Sequence, residues 1–275
     1  MRDSVVYNEN CILTMSRMED NSVDLTVTSP PYDNIRDYNG FSFDWKSTIQ
    51  ELYRITKNGG VVVWIVSDQT IDGSETGSSF KQALWAMECG FNLHDTMIWE
   101  KDSCAFPEAT RYYPVFEYMF VWSKGKPKSY NPICDRKNKH SGESVHGSFR
   151  MSDGSLKGRS STWKDSIIKE NSVRFNVWHV SAEHKNKTGH PAVFPIQLAK
   201  DHIVSWSNEG DLVFDPFLGS GTTRIAAYDL NRNFIGCEIS KEYFDKEEER
   251  FFCYKSGIEE IDNRQKNKNR NKSLW

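Results

Sequence analysis

The sequence lacks the features that would place the chain in a membrane or build it around a metal. No apolar run approaches the ~18 residues that a bilayer span needs, and mean hydropathy is -0.66. Met1-Arg2-Asp3-Ser4 shows no charged-then-apolar leader pattern, so the expected compartment is the cytoplasm. The six cysteines (Cys11, Cys89, Cys104, Cys134, Cys237 and Cys253) form no CxxC pair. That excludes a zinc ribbon and argues against a disulfide framework. The seven histidines show no HExxH or other ligand spacing, so no metal is expected. A surplus of positive charge is also missing: 35 Lys and Arg face 38 Asp and Glu, a net -3. The whole chain is therefore not a simple basic nucleic-acid binder.

What is present suits a folded enzyme. Apolar residues make up 37% and charged residues 27% of 275, enough for one α/β domain with an insertion. The near-neutral total hides a local asymmetry. Between Lys124 and Arg174 twelve basic residues face five acidic ones, a net +7, which leaves -10 on the remainder. That stretch is rich in Ser, Gly, Asn and Lys and has no sustained helical or strand period. It reads as a phosphate-contacting insertion with interleaved aromatics, in which Lys137, Lys139, Arg159 and Trp163 are the candidate nucleic-acid contacts. The same composition would also suit a solvated basic loop. A second basic run, Arg264 to Lys272, reads as a frayed tail.

Outside the insertion, strand and helix patterns alternate. Asp24–Thr28, Val61–Val66, Leu93–Glu100, Val115–Trp122, Leu212–Phe214 and Phe234–Glu238 read as strands. Thr48–Lys57, stopped by Asn58-Gly59-Gly60, reads as a helix, as do Phe80–Cys89, Pro195–Ser205, Thr222–Leu230 and Lys241–Tyr254. The alternation predicts an α/β fold with a doubly wound, mostly parallel sheet. The expected divisions are 1–123, 124–175, 176–255 and a tail over 256–275.

Two loops carry the chemistry. Asp215-Pro-Phe-Leu-Gly-Ser-Gly-Thr-Thr223 follows a strand and opens a helix, where an α/β sheet binds ligands. Gly219 and Gly221 permit a tight turn and close approach of a ligand. It is not a P-loop, because Thr222 stands where Lys should follow the glycine, and Arg224 breaks a full GxGxxG. Asp215 can accept bonds from an ammonium, and Glu238, at the end of the next strand, from a ribose diol. A ligand with a ribose and a cationic amino acid, but no required phosphate, fits the combination; S-adenosylmethionine has that form. The second loop, Thr28-Ser29-Pro30-Pro31-Tyr32, is stiffened by two prolines that remove two N–H donors. It presents the Ser29 hydroxyl and the Pro30 carbonyl as acceptors beside the Tyr32 ring, which suits an exocyclic amine on a flat base. Asp24 and Asp68 are further candidates for the pocket, although Asp at a strand end is commonly a cap.

In this order, catalytic loop first and cofactor loop second with a basic insertion between, the two loops resemble those of the DNA amino-methyltransferases, in particular the β group with permuted motif order. His190-Pro-Ala-Val-Phe-Pro195 and Arg174-Phe-Asn-Val-Trp178 resemble that family's segments near the methionine part of the cofactor. The resemblance implies a seven-stranded-type methyltransferase sheet, S-adenosylmethionine as cofactor, and double-stranded DNA as partner, in a bacterial, archaeal or phage-infected cell. It assigns Ser29, Pro30, Pro31 and Tyr32 to the target base. It assigns Asp215, Phe217, Gly219, Ser220, Gly221, Thr222 and Glu238 to the cofactor, with His190 and Pro191 beside the methionine. Asn10 stands where family members often carry an acidic residue near the adenine. Cytosine N4 is favoured over adenine N6, because Ser in the catalytic loop commonly goes with cytosine. Self-association into a homodimer is left open, and no restriction endonuclease partner is assigned. The competing readings are a catalytically idle DNA-binding protein of the same fold and a methyltransferase acting on RNA or protein. Intact catalytic residues argue against the first, and the permuted order with its basic insertion against the second.

Overall fold

Val61-Val-Val-Trp-Ile-Val66 is buried on both faces, the pattern of a central strand in a sheet covered by helices. In the computed structural model, which describes residues 4–31, 43–104, 109–145, 148–158, 166–181 and 194–257, this run belongs to the longest strand. In chain order the elements are β1 (Ser4–Tyr7), α1 (Cys11–Ser16), β2 (Val23–Thr28), α2 (Trp45–Ile55), β3 (Thr56–Val66), β4 (Thr70–Ile71), β5 (Ser74–Glu75), α3 (Ser78–Cys89), β6 (Asn92–Glu100) and β7 (Phe116–Ser123). There follow β8 (Arg136–Lys137), β9 (Ser148–Arg150), β10 (Leu156–Gly158), β11 (Asn171–Ser172), β12 (Val177–His179), α4 (Ile196–Trp206), β13 (Leu212–Asp215), α5 (Thr222–Asp229), β14 (Asn233–Cys237) and α6 (Lys241–Ser256).

Eight strands form one sheet in the order β1-β14-β13-β2-β3-β7-β6-β12. Every pairing is parallel except those of β7 with β3 and β6. This is the doubly wound, mostly parallel α/β class expected from the sequence. The strand beyond the seven expected is the three-residue β12, which pairs parallel to β6 at the sheet edge through Trp178 opposite Trp99. Trp64 stacks on Trp122 at 5.2 Å, and both are fully buried, so these tryptophans pack the core. Among the described residues no helix is long and apolar enough to cross a membrane.

Asn58-Gly59-Gly60 does not stop a helix, as its composition predicts. Helix α2 ends at Ile55, and β3 starts at Thr56 and runs through both glycines. The pairing of β2 with β3 shifts register here, between Val23 and Leu25. A Cβ on Gly60 would lie 2.8 Å from Thr56 Cγ2 and 3.0 Å from the Asp24 carbonyl, so the glycine lets two backbones pass closely.

The chain divides into two compact units: Met1–Asn131 with Val177–Trp275, and Pro132–Asn176. Residues 124–131, counted by composition with the insertion, hydrogen-bond within the first unit: the Lys128 N–H to the Gly59 carbonyl at 2.9 Å, and the Asn131 N–H to the Ser205 carbonyl at 2.8 Å. The second unit is built on two small antiparallel pairs, β8 with β11 and β9 with β10. Their strands are two or three residues long, too short to show a period in the sequence.

Candidate active site

The crossovers run in opposite directions from the centre of the sheet. From β13 the chain passes through α5 to β14, on one side; from β2 it passes through α2 to β3, on the other. Since β13 and β2 are parallel neighbours, with Phe214 opposite Thr26, the sheet reverses its winding between them. A crevice opens at such a switch point, beyond the strands' carboxyl ends. Both chemistry-bearing loops start there.

A cleft at this point is lined by Ser29 and Pro31 from the first loop, by Phe217, Gly219, Ser220 and Thr222 from the second, and by Asn10 and Glu238. Glu238 is fixed by two backbone donors: Oε2 accepts from the Gly219 N–H at 3.0 Å and Oε1 from the Ser240 N–H at 2.9 Å. Burial pushes its carboxyl up from the ordinary value, against the pull of those bonds. Its remaining lone pairs can meet a diol. Asn10 reaches the cleft, but its side-chain oxygen caps α1 by accepting from the Ile12 N–H at 2.9 Å. The neighbouring Glu9, paired with Arg17, also lines the cleft.

Asp215 and Gly221 stand behind this wall. Asp215 is 1% exposed, and its Oδ1 accepts from the Thr28 hydroxyl at 2.6 Å and from the Phe217 N–H at 3.0 Å. Burial pushes its carboxyl up to about 6. The side chain thus ties the end of β2 to the loop after β13. Gly221, at φ +77°, has no room for a Cβ because one would meet Glu247 Oε1 at 2.5 Å. The neighbour that demands glycine here is α6, which packs behind the loop. Glu247 is itself buried against Arg224, at 2.9 Å, and the Arg250 guanidinium donates to the Ser220 carbonyl at 2.6 Å. Arg224, the residue that breaks the dinucleotide pattern, is therefore part of the loop's support.

The two acidic candidates at other strand ends are structural. Asp24 pairs with Lys57 at 2.6 Å and accepts from the Leu212 N–H at 3.0 Å. Asp68 accepts from the Ser79 N–H at 2.9 Å, at the start of α3. Pro30 is buried beside Ser29. Lys137 and Lys139 lie exposed on the second unit. Tyr32, His190, Pro191, Arg159 and Trp163 fall outside the described residues.

The structure adds residues that sequence reasoning missed. Phe43 meets Phe217 edge-on at 5.0 Å, and it lines the cleft together with Asp44 and Tyr243. Asp44 could have been found as the N-cap of α2, since it accepts from the Ser47 N–H at 3.1 Å. Phe43, just before it, carries no local signal.

The lining tests which ligand fits. Its described residues include three carboxylates (Glu9, Asp44 and Glu238) and neither Lys nor Arg. A site for a phosphorylated nucleotide would need cations or a phosphate-cradling Lys. A cationic, phosphate-free nucleoside suits this wall.

Comparison with known proteins agrees with that geometry. The family model described as DNA methylase, for the N6 and N4 amino-methyltransferases, matches residues 23–249. A curated relative, the orphan methyltransferase M.BamHII of Bacillus amyloliquefaciens, is 57% identical over 243 residues, covering 86% of this chain and 91% of its own. The type II methyltransferase M.HpaI of Haemophilus parainfluenzae is 28% identical, over 96% of this chain and 79% of its own. Among solved structures, the cytosine-N4-specific PvuII DNA methyltransferase superposes with a TM-score of 0.67 at 20% identity, covering 90% of this chain and 86% of its own. A complex of M1.HpyAVI with S-adenosylmethionine gives 0.59 at 22%, over 89% and 98%. The chain belongs to the N6/N4 family of DNA methylases and is an enzyme of that class.

Proposed function

We propose that the chain transfers a methyl group from S-adenosylmethionine to an exocyclic amine of a base in double-stranded DNA, and that the amine is N4 of cytosine. The observation that carries this reading is one cleft at the switch point that joins Ser29 and Pro31 to Gly219, Ser220 and Glu238. The ribose diol is held by Glu238, and the cationic amino-acid end meets an anionic wall. Bound there, S-adenosylmethionine supplies an electrophilic methyl group.

The residues of the catalytic loop do the remainder. A base amine is a weak nucleophile because its lone pair is delocalised into the ring. The Ser29 hydroxyl and the Pro30 carbonyl accept its two N–H bonds, draw the nitrogen toward a tetrahedral geometry and localise the lone pair. Two consecutive prolines hold these acceptors still, so little ordering is left to do when the base arrives. The base must leave the duplex to reach them, and Tyr32 supplies a ring on which it can stack. Cytosine is favoured because Ser29 brings a neutral hydroxyl where adenine enzymes of this resemblance more often use Asp or Asn.

Incubating the protein with S-adenosylmethionine and mixed-sequence duplex DNA, then digesting to nucleosides for mass spectrometry, tests this. N4-methyldeoxycytidine is the expected product. N6-methyldeoxyadenosine would overturn the choice of base, and 5-methyldeoxycytidine the mechanism.

A further inference from the structure

The second unit contains a feature that packing within the chain does not explain. Strands β9 and β10 form a two-stranded ribbon, with Arg150 opposite Leu156 and Ser148 opposite Gly158. Residues 150–158 are all exposed, and among the described residues no heavy atom beyond the chain neighbours lies within 4 Å of where a Cβ on Gly154 or Gly158 would stand. A bare two-stranded ribbon is only marginally stable in water. This one is stiffened at its turn. The Met151 N–H donates to the Ser155 carbonyl at 2.8 Å, and the Gly154 N–H to the Met151 carbonyl at 2.9 Å. Asp153 accepts from the Ser155 N–H at 2.9 Å and from its hydroxyl at 2.7 Å. Those bonds hold its carboxyl below the usual range. Among the described residues no core lies beneath the turn.

Some cations of this unit are tied into it and others are not. Arg174 pairs with Asp135, and Arg136 lies 4.4 Å over the Phe175 ring, so these two hold the unit together. Arg150 and Lys157, on the ribbon, form no ion pair among the described residues and stand in solvent. Strand alternation puts Arg150, Leu156 and Gly158 on one face and Lys157 on the other. Leu156 is 68% exposed, an apolar side chain that no described residue covers.

We infer that the ribbon Ser148–Gly158 enters the major groove of the DNA substrate and that Arg150 reads a guanine there, with Leu156 packed beside it against a thymine methyl. The inference rests on the proposed action on DNA and adds which residues choose the sequence. A two-stranded ribbon fits the roughly 12 Å width of the major groove, and an Arg paired to guanine O6 and N7 is the commonest specific contact. Positive charge on both faces suits insertion between two phosphate walls. Lys137 and Lys139, off the ribbon, contact phosphate and carry no sequence information.

The test is selection of bound duplexes from a random-sequence pool, followed by affinity measurement on the selected and on unrelated DNA. It needs no methyl transfer. For Arg150→Ala we expect affinity for the selected sequence to fall about 10–100-fold. Unrelated DNA should be affected only a few-fold, and the preference for G·C at one position should disappear. Leu156→Ala should weaken discrimination at a neighbouring A·T pair. Lys137→Gln with Lys139→Gln should lower both affinities alike and reduce the salt slope by about 2. The inference is overturned if the wild-type protein selects no sequence, or if Arg150→Ala leaves the selected sequence unchanged. It is also overturned if Leu156→Ala alters self-association and not DNA choice. Sequence selection without any methylated nucleoside would instead overturn the proposed function and leave the ribbon's role standing.

Discussion

The loops that leave β13 and β2 emerge side by side from the same edge of the sheet, yet they are built on opposite plans. The loop after β13 is shaped by groups from elsewhere. The Leu218 N–H donates to the Cys237 carbonyl at 2.9 Å, the Gly219 N–H to Glu238, and α6 closes on it through Glu247 and Arg250. The loop after β2 carries its stiffness chiefly in its own two prolines, with the bond from the Thr28 hydroxyl to Asp215 tying its start to the other loop. A loop assembled by its neighbours fails when distant residues change, whereas one held mainly by its own rings fails chiefly through the side chain it presents.

The sharpest way to break this contrast is Gly221→Ala. The substitution puts a Cβ 2.5 Å from Glu247 Oε1 at a residue with φ +77°. Left-handed strain and overpacking together should cost about 2–5 kcal/mol. Chemical denaturation should show that loss, and Gly221→Ala with Glu247→Ala should recover part of it, leaving the cost of the backbone conformation. If the double variant recovered nothing, α6 would not be what shapes the loop.

Asp215→Asn probes the tie between the two loops. Burial raises the Asp215 carboxyl from 3.8 to about 6, so the folded chain binds this proton more tightly than the unfolded chain. The stability it brings is fully present below pH 3.8 and declines as pH rises through 6. Above that the buried charge costs about 3 kcal/mol. Asparagine keeps an acceptor for Thr28 and the Phe217 N–H but does not titrate. The urea midpoint of the wild type should therefore fall, relative to that of the variant, between pH 4 and pH 7. Parallel profiles would mean that Asp215 is not buried as a titrating group.

Ser29→Ala tests the opposite plan. The hydroxyl on the cleft wall is one of two acceptors for the base amine, so its loss should slow methyl transfer by ~10²-fold. Stability and S-adenosylmethionine affinity, by calorimetry, should stay near those of the wild type. A fall in stability as large as that of Gly221→Ala would erase the distinction between the loops.

The same contrast accounts for what the sequence could reveal. The order of strands and helices was legible because Val61–Val66 and its neighbours are buried on both faces, and the two loops were legible because glycine and proline punctuate them. Roles set from behind were not. Nothing around Gly221 announces Glu247, twenty-six positions away, and Asp215 has the same residue type whether it faces a ligand or Thr28. The Gly59-Gly60 pair looks like a helix stop because its true partner, the Asp24 backbone, lies on another strand. The ribbon of the second unit was hidden because three-residue strands show no period.

The smallest effect separates a carboxylate beside the chemistry from one that takes part in it. Asp68, two residues beyond the end of β3, was a candidate for the pocket. It accepts from the Ser79 N–H at 2.9 Å, the Ser78 hydroxyl at 3.0 Å and the Ser79 hydroxyl at 2.5 Å. Gly77, the residue before α3, offers no side-chain cap, so Asp68 performs that service from another segment. Its charge also sits at the positive end of the helix. Asp68→Ala should then cost about 1 kcal/mol, the usual cost of a lost cap, seen as a lower denaturation midpoint. Turnover on DNA and affinity for S-adenosylmethionine should be unchanged, because Asp68 does not line the cleft. Normal stability with a tenfold loss of turnover would move Asp68 into the active site and extend the cleft to a third strand end.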